Sequence, residues 1–192
     1  SYFANILKLY DVPNYRKIHS GNIPLVGGLS IYLSILIFLP FIEVTYTISL
    51  IFFSTGFVII LGAIDDAINL SVTTRLVYQL FSSLVIIGSG LYITDIGDYY
   101  IFEPIELGIF GILLTVFSVV TLTNAFNFID GIDGLCASLI LIALLSLISF
   151  SYFSGNDNSL LFVKLLCFSL IAFILTNLKL FSFKRIFLGD AG

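Results

Sequence analysis

Six apolar runs, at about residues 25–42, 48–64, 75–93, 107–123, 135–153 and 160–178, leave this chain few ways to fold. Each comes close to the roughly 20 residues, range 17 to 25, that a helix needs to cross a bilayer core. Only segments that satisfy their own backbone hydrogen bonds persist there, so helices are expected. The fold class read from the sequence is all-α: a polytopic integral membrane helical bundle of about six transmembrane helices, forming one transmembrane domain over residues 1–192. Composition agrees, because 59% hydrophobic and 10% charged residues lie far from the soluble average.

The polar segments between the runs sort by charge. Lys8, Arg16, Lys17, Arg75, Lys179, Lys184 and Arg185 fall in or beside segments on one side of the alternation, and Lys164 lies near the other. By the positive-inside rule the first side is cytoplasmic, which makes 1–24, 65–74, 124–134 and 179–192 the cytoplasmic segments. Both ends of the chain then face the cytoplasm. A formal charge of -4 argues against a phosphate-tracking nucleic-acid binder, so no nucleic acid is expected. Cys136 and Cys167 sit inside apolar runs and read as ordinary buried thiols. The chain has no methionine and opens on Ser1, which points to an internal or partial sequence.

The carboxylates are not distributed as solvated surface would be. Asp65, Asp66, Asp130, Asp133 and Asp190 all fall at the cytoplasmic ends of runs or in the short segments joining them. The densest block is Asn124-Ala-Phe-Asn127-Phe-Ile-Asp130-Gly131-Ile-Asp133-Gly134-Leu135. An Asp at the centre of a membrane helix costs roughly 2.5 to 3.5 kcal/mol, so the block belongs at a membrane surface. If it is helical, Asp130 and Asp133 share one face. Neighbouring side chains on a helix point about 100° apart, so of Asp65 and Asp66 one could meet a ligand and the other a supporting partner. Carboxylates gathered on one face repel each other unless a cation compensates. Mg²⁺ suits such a place, since it takes one or two protein oxygens and completes its shell with waters and substrate phosphates. Arg75, Lys17 and His19 are the cations available for a phosphate-bearing substrate.

Four blocks together carry a resemblance. Asp11-x-Pro13-Asn14-x-Arg16-Lys17-x-His19-x-Gly21-x-x-Pro24-x-x-Gly27-Gly28, Asp65-Asp66, Asn124-x-x-Asn127-x-x-Asp130-Gly131-x-Asp133-Gly134 and Gly189-Asp190-x-Gly192 resemble the polyprenyl-phosphate N-acetylhexosamine-1-phosphate transferases (glycosyltransferase 4) in order, spacing and sidedness. The first loop and the Asn-Ala-Phe-Asn block are most similar to members that use UDP-N-acetylglucosamine and undecaprenyl phosphate. Members that transfer phospho-MurNAc-pentapeptide are similar but less close in that loop. The resemblance implies a phosphotransferase acting at the first membrane step of a cell-envelope polysaccharide, in the bacterial inner membrane with its site on the cytoplasmic face. Its partners would be a UDP-sugar donor, a polyprenyl phosphate acceptor and the lipid bilayer, and it admits a homodimer. By the same resemblance Asp190 would hold Mg²⁺, with Mn²⁺ as an alternative and Asn127 as a second oxygen ligand. Asp65, Asp66, Asp130 and Asp133 would complete the catalytic set, one of the Asp65-Asp66 pair serving as a base or as an orienter of the lipid phosphate. Arg75 would bind the pyrophosphate, Lys17 and His19 would contact phosphate, and Asn69 and Asn124 would be neutral hydrogen-bond partners.

Members of the family also carry a span before the first block and a His-rich cytoplasmic loop after the last. Neither is within these 192 residues, so the segment by itself is expected to lack part of the donor site. A transporter or channel with a carboxylate path would place its acidic residues at mid-span rather than at one end. A structural protein would have no use for amides, carboxylates and glycines at matched sites. The CDP-alcohol phosphotransferases also cluster aspartates at a membrane surface, but their Asp-Gly block continues through Ala-Arg, unlike Asp130-Gly131-Ile-Asp133.

Overall fold

The computed structural model describes residues 9–11, 21–41, 44–97, 104–153, 160–180 and 184–192. Lys17 and His19 lie outside these described residues. Among the described residues there are six α-helices: α1 Gly27–Phe38, continued by a 3-10 turn Leu39–Phe41, then α2 Tyr46–Ile68, α3 Val72–Gly88, α4 Ile109–Ile129, α5 Leu135–Phe153 and α6 Leu160–Asn177. They follow the six apolar runs in order. Helices α2, α4 and α5 are long and apolar enough to cross a membrane, and Gly27–Phe41, Val72–Gly88 and Leu161–Asn177 are shorter apolar helices. The chain is a polytopic helical membrane protein.

The helix ends differ from the apolar boundaries in a way that matters for the site. Helix α2 continues past residue 64 to Ile68 and α4 continues past residue 123 to Ile129. Hydropathy marks where hydrocarbon stops, whereas a helix stops where its backbone is redirected. Asp65, Asp66, Asn124 and Asn127 are therefore held on helical turns. In contrast, Asp130 to Gly134 is a turn between α4 and α5, so Asp130 and Asp133 do not share a helix face.

The end of α2 is set by Asn69, which adopts φ 53° while its N–H still donates to the Asp65 carbonyl at 2.8 Å. Asparagine tolerates this left-handed conformation better than other side chains do. Two residues later Ser71 caps α3, its Oγ accepting from the Thr74 N–H at 3.2 Å. Asn69 thus has a backbone task, and one substitution pair separates it from a substrate task. Asn69→Gly is expected to retain both melting temperature and activity, while Asn69→Ala should cost about 1 to 2 kcal/mol. Loss of activity in a fully stable Asn69→Gly protein would instead return the side chain to the substrate.

The described chain forms two compact units. One comprises Ser1–Glu43, Ile59–Asn69 and Asn127–Gly192. Here α6 packs against both α1 and α5. Its Cys167, Leu170 and Phe173 are buried at a spacing of three residues, and Ser169 Oγ meets Ser34 Oγ of α1 at 2.9 Å. Helix α6 ends in a Schellman motif, with Lys179 at φ 55°, Leu180 N–H donating to the Leu175 carbonyl at 2.9 Å and Lys179 N–H to that of Thr176 at 3.2 Å.

This unit also contains an element that the sequence did not announce. Strands β1 Tyr10–Asp11 and β2 Ile23–Pro24 pair antiparallel, Tyr10 opposite Pro24 and Asp11 opposite Ile23. Two-residue strands are too short to carry an alternation. The C-terminal segment joins next to this pair: Phe187 N–H donates to the Pro24 carbonyl at 2.9 Å, Gly27 N–H to that of Phe187 at 2.9 Å and Gly28 N–H to that of Leu188 at 3.0 Å.

The other unit comprises Val44–Val58 and Leu70–Phe126. It buries a polar seam of the kind that joins helices in lipid. Ser54 Oγ lies 2.6 Å from Ser82 Oγ and donates to the Ser82 carbonyl at 3.0 Å, and both serines are buried. Asn124 Nδ2 donates to Gln79 Oε1 at 2.7 Å. Outside the helices, Asp95 accepts from Thr94 Oγ1 at 2.8 Å and from Gly97 N–H at 3.0 Å, and these bonds hold its carboxyl below the usual range.

Candidate active site

The first unit brings three separate acidic blocks into one place, and the geometry begins with Asp66. Its carboxylate, on the last turns of α2, accepts the backbone N–H of Asp190 at 3.0 Å through Oδ1 and that of Ala191 at 3.4 Å through Oδ2. Successive amides at a turn form a concave donor site that suits an anion. Gly189 makes that turn available: it sits at φ +76°, and a Cβ there would lie 2.6 Å from Asp66 Oδ2. Asp66 therefore fixes the backbone of the loop that carries Asp190. Asp65, its neighbour on the helix, points elsewhere and is buried, only 1% exposed.

Asp190 is met from the end of α4. Asn127 Nδ2 donates to Asp190 Oδ1 at 2.6 Å. One turn of chain later, Asp130 lies near enough for its carboxyl to be pushed up to about 6, first by burial and then by the Asp190 charge. Carboxylates that share a site raise one another's pKa, and a cation between them would offset this.

Asp133, in the same turn as Asp130, is engaged differently. Its Oδ2 forms an ion pair with Arg185 Nη2, and the Arg185 guanidinium also lies 5.1 Å from the Phe187 ring centroid. From the sequence alone Arg185 reads only as one of the cytoplasmic positive charges. The signal for a pairing was thin: opposite charges flanking two acidic blocks, with no periodicity to link positions so far apart along the chain.

Of the residues singled out from the sequence, Asp66, Asn127 and Asp190 meet through hydrogen bonds, with Asp130 near Asp190, Asp133 of the same unit pairs with Arg185, Asp65 is buried and Asn69 is exposed. Arg75 and Asn124 belong to the other unit, where Asn124 is bound to Gln79.

Among the described residues no group of three or more His, Cys, Asp or Glu side chains is arranged to hold a metal ion. The donor set at Asp190 nevertheless suits Mg²⁺ chemically, because that ion takes hard oxygens, needs only one or two from protein, and keeps positions for water and phosphate. With its Nδ2 toward Asp190, Asn127 presents a donor; acting as an oxygen ligand beside that carboxylate would require its amide to turn over.

The family model described as glycosyl transferase family 4 matches residues 47–192. The undecaprenyl-phosphate alpha-N-acetylglucosaminyl 1-phosphate transferase of Escherichia coli (strain K12) is 36% identical over 200 residues, covering 98% of this chain and 52% of that protein. The proteins of the same name from Yersinia pestis and Salmonella typhi are 36% and 34% identical over 189 and 193 residues, each covering 96% of this chain and 51% of the relative. The chain spans about half the length of the curated relatives it matches. With most of its length matched by the family model and its acidic blocks gathered in one unit, the chain belongs to glycosyl transferase family 4.

Proposed function

We propose that the protein containing this chain transfers N-acetylglucosamine-1-phosphate from UDP-N-acetylglucosamine to undecaprenyl phosphate, releasing UMP at the cytoplasmic face of a bacterial inner membrane. The observation that carries the reading is the meeting of Asp66, Asn127, Asp130 and Asp190 from three distant blocks around one glycine-bounded loop. The similarity to relatives named for a transferase of this kind supports the choice of sugar and lipid.

In the reaction an oxygen of the lipid phosphate attacks the sugar-side phosphorus of the donor. The bond from that phosphorus to the bridging oxygen breaks, and UMP leaves with the electron pair. A lipid phosphate is largely ionised near neutral pH, its second pKa lying near 6, so the nucleophile needs little help from a base. What it needs is approach, because both reactants are anions. A divalent cation bound at Asp190 would supply charge neutralisation on the diphosphate.

The chain's own residues then have distinct tasks. Asp190 would be the metal ligand, and Asp66 holds its loop by accepting the two amide hydrogens. Asn127 orients the Asp190 carboxylate through its amide. Asp130, partly buried beside Asp190, would accept hydrogen bonds from metal-bound water or donor sugar. Arg75, Lys17 and His19 are assigned to the substrate phosphates on the strength of the resemblance.

A donor panel tests the proposal. Membranes containing the full-length protein and undecaprenyl phosphate should release UMP from UDP-N-acetylglucosamine and not from UDP-MurNAc-pentapeptide. The reverse preference would replace the sugar assignment, and no release from either would remove the activity.

A further inference from the structure

We propose that Gln79 is a positioning residue: by holding the Asn124 amide it seats α3 on α4 and so places Arg75, one turn before it on α3. This rests on the assignment of Arg75 to the substrate phosphates. All three residues belong to the unit that contains Leu70–Phe126. The face that α3 turns inward is largely polar, with Tyr78, Gln79, Ser82 and Ser83 buried at helical spacing. Arg75 continues that face one turn earlier, since it alone of residues 71–77 is not exposed. Four residues apart, Arg75 and Gln79 share a side of the helix.

The backbone fixes the polarity of the contact. Asn124 Nδ2 lies 2.7 Å from the Val120 carbonyl and 2.7 Å from Gln79 Oε1. A main-chain carbonyl only accepts, so the atom facing it is the amide nitrogen, and the same nitrogen requires an oxygen from Gln79. Both amide hydrogens of Asn124 are then engaged, one by its own helix and one by α3. Gln79 is 5% exposed, so removing its oxygen would leave an amide hydrogen with no ready substitute. Helices in lipid gain little from burying apolar surface against each other. Interhelical hydrogen bonds such as this one, and the Ser54 contact with Ser82 three residues further along α3, therefore decide how the helix is set.

A double-substitution cycle in the full-length protein tests the role. Gln79→Leu, which removes the oxygen and keeps most of the bulk, is expected to raise KM for UDP-N-acetylglucosamine by about 10-fold with kcat nearly unchanged, the scale of one buried hydrogen bond left unmade. Arg75→Ala should raise KM at least as far. The double variant should be no worse than Arg75→Ala alone, because Gln79 acts through the arginine. Gln79→Glu offers an oxygen to the Asn124 amide in either protonation state and should recover most of the loss. The dissociation constant for UDP with Mg²⁺, measured by isothermal titration calorimetry without acceptor lipid, should follow the same pattern.

Losses that multiply in the Arg75 and Gln79 double variant would overturn the proposal, as would a Gln79→Leu protein that keeps the parent's KM and UDP affinity. A Gln79→Glu protein as impaired as Gln79→Leu would show that bulk rather than the oxygen matters, and would overturn it too. Unchanged UDP affinity in Arg75→Ala would remove both the arginine's assignment and the role built on it. If the parent releases no UMP from any UDP-sugar but the UDP cycle is non-additive, the positioning role stands and the assigned reaction falls. If UMP is released but the UDP losses multiply, the reaction stands and the positioning role falls.

Discussion

Asp190→Asn in the full-length protein is expected to lower UMP release by at least about 100-fold while leaving the protein folded. The substitution keeps size and shape. The backbone N–H of residue 190 still reaches Asp66, and the new amide oxygen can still accept from Asn127. What disappears is the negative charge that would hold a cation against the donor diphosphate. That interaction is worth several kcal/mol of transition-state stabilisation. At about 1.4 kcal/mol per factor of ten, the loss spans at least two decades. Measured melting temperature should barely change, which separates a charge effect from unfolding. Full activity in Asp190→Asn membranes would take Asp190 out of the site.

Gly62→Ala should be nearly as damaging by another route. Gly62 lies inside α2, where alanine ordinarily gains roughly 1 kcal/mol over glycine. Here the α-carbon faces the Asp190 loop, and an added methyl would land on the Asp190 carbonyl oxygen and 2.7 Å from Ala191 Cα. The obstacle is backbone, already bound by Asp66 on one side and by Gly28, through Leu188, on the other. Forcing it aside costs about 1 to 3 kcal/mol by the usual scale of overpacking. The expected result is a lower melting temperature and a fall in kcat, because a displacement near 1 Å at a catalytic group can cost on the order of 100-fold. A more stable, fully active Gly62→Ala protein would mean that the loop does not rest on α2.

The fold was largely legible because lipid imposes a coarse rule. Apolar runs of spanning length announce helices whatever their neighbours do, and α1 to α6 follow the runs in order. The site was legible in part, since an aspartate at a membrane edge is conspicuous. Hydropathy does not say how far the helices continue beyond the apolar stretch, so it leaves open that Asn124 and Asn127, in the polar segment 124–134, lie on α4. Their amides take different partners, Gln79 for Asn124 and Asp190 for Asn127.

Tertiary partners were not encoded in any local pattern. Nothing around Asn69 distinguishes a residue needed for its left-handed backbone from one offering an amide to a ligand. Nothing around Asp133 predicts Arg185, because a contact between a turn and a returning segment leaves no period in the chain. The β1–β2 pair was invisible for a simpler reason, its shortness.

The most direct test of a shared cation and diphosphate site is the anomalous scattering of Mn²⁺ in crystals of the full-length protein grown with UDP. One peak at ligand distance from Asp190, bridging to the diphosphate and bordered by Asn127 and Asp130, is the predicted result. A peak away from Asp190, or a bound diphosphate with no metal beside that carboxylate, would contradict it.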